Sequence, residues 1–196
     1  MMLLTILLLL SDLREMAVSI KAKGDVKVIR ATEEIKLTRG MILKEGDEIR
    51  TGENGYALIK YLEKGIIIEV KSHSSISIPI DTKSRRTGRL RRLKLFFGEI
   101  ISIIKGKSFE VETPNAVAAV KGTKFSVTHS GDTTRVFVIS GSVKLKNDSG
   151  EIDINPGEGG ICVGDNPPEK TETPKEIQIE FEHGNGNIKI LEIEVE

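Results

Sequence analysis

This 196-residue chain has one cysteine, no tryptophan, few aromatics and no excess of either charge. The single cysteine, Cys162, excludes an internal disulfide and any zinc cluster of thiolates, so stability must come from packing. Flanked by Ile161 and Val163, with no neighbour that would activate it, Cys162 reads as a small buried hydrophobe. Lys plus Arg total 29 and Asp plus Glu total 29, which excludes a global pull toward nucleic acid or an anionic membrane. Any partner must be recognised by a local patch. Aromatics make up 4% of the chain, leaving Ile, Val and Leu to fill the interior, an inventory that suits pleated sheets.

No apolar run reaches the roughly 20 residues that a membrane-spanning helix needs. The run from Leu3 to Leu10, broken only by Thr5, has the length of the apolar part of a signal peptide, although no Lys or Arg precedes it. Residues 1–16 are accordingly expected to be an apolar leader, and the remainder to be periplasmic or extracellular. If the leader is not a signal sequence, the chain is cytoplasmic.

Period-two alternation runs from Val18 to Val163, with strands recurring about every eight to twelve residues between Gly, Asn and Asp turn signals. That spacing predicts an all-β, two-layer sandwich or jelly-roll-like domain over residues 17–165. Val18, Ile20 and Ala22, then Val26 and Val28, share one parity around Gly24-Asp25 and predict a first hairpin. Pro167, Pro168 and Pro174 interrupt the pattern and predict a linker at 166–175. Ile177, Ile179 and Phe181, then the run from Ile188 to Val195, predict a C-terminal hairpin at 176–196. Thr51 and Thr113 stand in similar surroundings, a faint echo between the two halves that chance explains.

The usual carriers of chemistry are missing. His73, His129 and His183 lie at no ligand spacing and read as surface or strand-edge residues. Gly106-Lys107-Ser108 mimics the end of a phosphate loop, but the position that needs the first glycine is Ile101. The acids alternate with Ile and Val as the solvent side of strands, and no carboxylate pair stands out. Asn147-Asp148-Ser149 matches a glycosylation sequon, yet reads more simply as a turn. No catalytic residue, metal or cofactor is expected, and the chain is read as non-enzymatic. One charge feature is anomalous. Lys83, Arg85, Arg86, Arg89, Arg91, Arg92 and Lys94 contain no acid among them, a concentration that would suit an anionic surface polymer or an acidic protein face. The plainer alternative pairs these charges with nearby Glu strands. With no aromatic residue from 81 to 95 to stack on bases, nucleic acid is not the expected partner.

Gly46-Asp47-Glu48-Ile49-Arg50-Thr51-Gly52 resembles the G-D-x-I-x-T-G signature of the FecR family. Gly98-Glu99-Ile100, the stretch Phe109-Glu110-Val111-Glu112-Thr113-Pro114, the block Val120-Lys121-Gly122-Thr123-Lys124-Phe125-Ser126-Val127 and the block Val136 to Val143 around Gly141 follow in the family's order. Asn155-Pro156-Gly157-Glu158 resembles its closing turn. The residues of these motifs, Gly46, Asp47, Thr51, Gly52, Thr113, Pro114, Gly122, Thr123, Phe125 and Gly141, read as scaffold positions where strands turn. The family's namesake is an inner-membrane regulator of iron-citrate uptake. The resemblance therefore implies a sensing or protein-interaction domain that binds an envelope partner through loops and sheet edges. Full members resemble anti-sigma regulators with a cytoplasmic segment and one transmembrane helix, neither of which is read here. The alternatives are an assembly element that uses the C-terminal hairpin for strand addition, and a polyanion binder that uses the 83–94 stretch.

Overall fold

A computed structural model describes residues 13–80, 91–171, 176–183 and 187–194. Most of the leader, the cations Lys83, Arg85, Arg86 and Arg89, and residues 172–175 of the linker lie outside the described residues. Among the described residues no helix occurs and the secondary structure is all strand. The first half supplies β1 (Glu15–Lys23), β2 (Val26–Arg30), β3 (Glu33–Lys36), β4 (Ile42–Lys44), β5 (Glu48–Thr51), β6 (Tyr56–Tyr61), β7 (Ile66–Val70) and β8 (Ser74–Ser77). A long β9 (Arg91–Ile104) follows. The second half supplies β10 (Ser108–Glu112), β11 (Val117–Lys121), β12 (Lys124–Ser130), β13 (Thr133–Ser140), β14 (Val143–Asn147), β15 (Gly150–Ile154), β16 (Gly159–Val163) and β17 (Glu169–Thr171). The hairpin β18 (Glu176–His183) and β19 (Asn187–Glu194) forms a sheet of its own, in register from Glu176↔Glu194 to His183↔Asn187.

The strands build two layers. One runs β4-β1-β6-β7-β9-β12-β13-β16-β17 and the other β3-β2-β5-β8-β9-β10-β11-β14-β15. The strand common to both is β9. Its first part pairs in parallel with β10 (Leu93↔Val111) and antiparallel with β8 (Ile76↔Leu95). Its last part pairs antiparallel with β7 (Ile68↔Ser102) and β12 (Phe125↔Ser102) in the opposite layer. The crossing falls at Gly98, whose φ is 95°. A Cβ there would stand 2.2 Å from Ser74 Oγ and 2.5 Å from Ser74 Cα, so only glycine fits this fold-over.

The inward residues of both layers form one aliphatic core, including Val28, Ile49, Ile76 and Val111 from the second layer and Ile59, Ile68, Phe125 and Val127 from the first. Tyr61 of β6 meets Phe109 of β10 edge-on at 5.7 Å, joining the layers through two rings. Its buried hydroxyl donates to the Arg92 carbonyl at 3.3 Å, as a buried phenol must.

Two local expectations are corrected. Gly24-Asp25 does not close a hairpin, because β1 pairs with β4 and β6 while β2 pairs with β3 and β5, so this turn carries the chain from one layer to the other. A register shift between Ser19 and Lys21 also breaks the parity of β1. Ala17 and Ser19 are buried and Ala22 packs on the core, while Val18 and Ile20 take the other face. Within the stretch read as a linker, Glu169–Thr171 add β17 to the edge of the first layer.

Candidate functional site

The turns collect at two ends of the sandwich. At the end where β10 passes to β11, the turn Thr113-Pro114-Asn115-Ala116 caps a buried polar network. Thr113 Oγ1 donates to the Ala116 carbonyl at 3.0 Å and accepts from the Ala116 N–H at 3.1 Å. It also lies 2.7 Å from Thr134 Oγ1 of β13. Thr134 Oγ1 in turn contacts His129 Nδ1 of β12 at 2.9 Å and donates to Asn115 Oδ1 at 2.5 Å. Asn115 Nδ2 donates to the carbonyls of Asp132 at 2.6 Å and Cys162 at 3.2 Å. One asparagine thus ties three turns together.

His129 corrects the surface expectation, being only 2% exposed. Burial holds its pKa below the ordinary value, against the opposing pull of the Gly131 backbone and Asp132. His73, by contrast, is exposed, in the left-handed region at φ 51°. Cys162 is buried as expected, and burial pushes its thiol pKa up, opposed by a hydrogen bond from Asn147 Nδ2 to its Sγ at 3.2 Å. That is the reverse of what a nucleophilic thiolate needs. Asn147 Oδ1 accepts from the N–H groups of Ser149 at 3.0 Å and Gly150 at 3.1 Å, so the sequon is a side-chain-closed turn.

Above this network lies an open polar cleft of about 440 Å³, bounded by the 112–117 turn, by Lys146, Asn147, Asp148 and Ser149, and by Asp165. Its rim offers carboxylates, amides and one lysine for hydrogen bonding. No group of acids, histidines and cysteines among the described residues could hold a metal.

The residues that carry the sequence signature act as clamps. Asp47 is fully buried and takes a fork from Arg30, with Nε at 2.8 Å and Nη2 at 2.7 Å, while also accepting the Lys44 N–H at 2.8 Å. Arg30 Nη2 donates further to the Ile42 carbonyl at 2.9 Å, so this pair joins β2, β4 and β5. Thr51 Oγ1 donates to the Lys71 carbonyl at 2.6 Å and accepts the Ser74 N–H at 2.9 Å, closing the β7–β8 turn. Gly52 lies against Asp25, where a Cβ would stand 2.7 Å from its carboxylate. Thr123 Oγ1 donates to the Ser142 carbonyl at 2.8 Å, beneath Gly141 with its φ of 86°. Phe125 is wholly buried. Gly46, at φ 87°, and Gly122, at φ 68°, supply turns that a side chain would strain. Thr51 and Thr113 bond differently, so their echo has no counterpart in contacts.

In the basic stretch, the described cations face acids on neighbouring segments. Arg91 forms an ion pair with Glu63, Arg92 with Glu110 at 2.9 Å and Lys94 with Glu112 at 3.2 Å. The last two are rungs across the parallel β9–β10 ladder. Asp47 has its partner Arg30 on another strand, so only the fold reveals this pair.

The described residues form a two-layer all-β domain whose polar groups gather in the turns. The chain belongs to the FecR family, whose model, described as FecR protein, matches residues 47–144. Two crystal structures of a putative anti-sigma factor from Parabacteroides distasonis, at 1.65 and 2.50 Å, share the fold with a TM-score of 0.53 and 20% identity. The match covers 65% of this chain and 61% of the anti-sigma factor. No curated protein matches. The FecR domain and this fold together support a regulatory sensing domain.

Proposed function

We propose that this is an extracytoplasmic sensing module that binds a protein partner of the cell envelope without chemical turnover, using the turns around Asn115, Asp148 and Asp165. The observation that carries the reading is the rigid support under an open polar cleft. Asn115, Thr113, Thr134 and His129 spend their hydrogen bonds on each other and on turn carbonyls, fixing the rim without presenting a nucleophile or a base. Pre-organised turns of this kind bind with little ordering cost. Pairing of Arg91, Arg92 and Lys94 with Glu63, Glu110 and Glu112 leaves those three cations less suited to a polyanion, which favours a protein partner.

The test uses the immobilised full chain and solubilised envelope from its own source. Wild type is expected to retain a discrete protein, and the variant N147S/D148S/D165S to retain roughly tenfold less, as loss of rim contacts around a binding centre does. Equal retention by a variant that melts like wild type would remove the cleft from the mechanism.

A further inference from the structure

The end of the sandwich opposite the cleft has a different character. Its turns are linked to one another: the Lys105 N–H donates to the Gly65 carbonyl at 2.7 Å, and the Ile104 N–H to the Thr123 carbonyl at 2.9 Å. On these turns stand Lys64, Lys105 and Lys107, and Lys121 lies opposite Ser108 at the end of β11; all four lysines are exposed. The acid among them is Glu63, shared by Arg91 and, at 3.5 Å, Lys107. Hydrogen bonding from Arg91 holds the Glu63 carboxyl below its usual range. At the cleft end the turns instead carry Asp25, Glu53, Asp132, Asp148 and Asp165, with Lys23, Lys71 and Lys146 dispersed among them. A chain of zero net charge therefore has a local cluster of four exposed lysines at this end, with Glu15, Glu33, Glu45 and Glu158 on the strands and turns around it.

The same pole receives the N-terminal segment. The Leu62 N–H donates to the Met16 carbonyl and the Glu45 N–H to the Arg14 carbonyl, both at 2.9 Å. A Cβ at Gly46 would stand 3.4 Å from Ile80 Cδ1 and 4.0 Å from Leu13 Cδ1, so the start of the described chain and Ile80 share one turn. Leu62, next to Lys64, and Ile80, at the Gly46 turn, are large aliphatics left 49% and 54% exposed. In sequence, Ser11 and Asp12 separate Leu13 from the apolar run Leu3 to Leu10.

We infer that this pole is a membrane-contact surface: Lys64, Lys105, Lys107 and Lys121 engage the headgroups of an anionic bilayer, with Leu62 and Ile80 at the apolar boundary. A basic patch near an anionic leaflet contributes about 1 kcal/mol per lysine, and a few exposed aliphatics at the same surface add an apolar contact. The partner cleft then faces away from the bilayer. The inference is independent of which protein the cleft takes.

The experiment is vesicle co-sedimentation of the full chain. Vesicles of phosphatidylcholine alone are compared with vesicles containing about 30% phosphatidylglycerol, a composition that gives the surface a negative potential. Binding is expected to favour the anionic vesicles and to weaken as salt rises from about 0.1 M to 1 M, where screening shortens to about 3 Å. The variant K64S/K105S/K107S/K121S is expected to lose up to roughly a thousandfold in partitioning to anionic vesicles, at about 1 kcal/mol per lysine. The variant K23S/K27S, altered at the other pole, should bind as wild type does. Equal binding to both vesicle types by wild type and the quadruple variant would overturn the proposal, as that pattern belongs to the apolar run alone. Binding of soluble polyphosphate without binding of anionic vesicles would overturn it too.

Discussion

At the scale of single residues, His129 has the most measurable consequence. Its ring is buried against Thr134, and burial depresses its pKa below the ordinary value of 6.5. The unfolded chain therefore binds a proton in a range where the folded chain resists it, and stability rises with pH across that window. The contribution is fully present above about pH 6.5 and is lost as pH falls from there through the lower folded-state value. Denaturant midpoints measured between about pH 7 and about pH 5 should fall for wild type and fall less steeply for His129→Asn. Identical slopes would show that the ring titrates freely. Glu99, raised by burial and opposed by Lys71, acts with the opposite sign but is common to both proteins and cancels in the comparison. Which face a residue takes was legible in the sequence for Phe125, Val127 and Ile49, since alternation alone decides it. The burial of His129 was not, because it depends on Thr134 and Asn115 from two other segments.

At the scale of elements, β9 decides how the layers are connected. Leu93 and Leu95 share one parity and Ile100, Ser102 and Ile104 the other, and one long strand is what forms. Alternation carries no information about pairing, so the change of parity after Leu95 does not by itself say which layer each part joins. The signal that could have found the crossing is Gly98, a glycine inside a strand pattern, where a bulge or close backbone approach is the usual meaning. The Gly24-Asp25 turn misled for a related reason, as a two-residue turn signal fits a layer crossing as well as a hairpin. Gly98→Ala should cost on the order of 3 kcal/mol, because it adds a disfavoured φ to a collision with the Ser74 backbone. Thermal unfolding checks this, and a variant as stable as wild type would place the crossing elsewhere.

At the scale of the whole molecule, the balanced composition conceals two ends of unlike character. Composition averages over position, so a net charge of zero could not show lysines gathered on one set of turns and aspartates on the other. The family resemblance located the turns but assigned them only to scaffolding, a role the clamps formed by Asp47, Thr51 and Thr123 fit. The central claim is that the pole bearing Asn115 and Asp148 meets a protein while the pole bearing Lys107 meets lipid. Photo-crosslinking in intact cells tests it most directly, with a benzophenone side chain at Asp148 in one strain and at Lys107 in another, and adducts read by mass spectrometry. The account predicts a discrete protein adduct from position 148 and lipid adducts from position 107. Protein adducts from 107 with lipid from 148, or the same adducts from both, would contradict it.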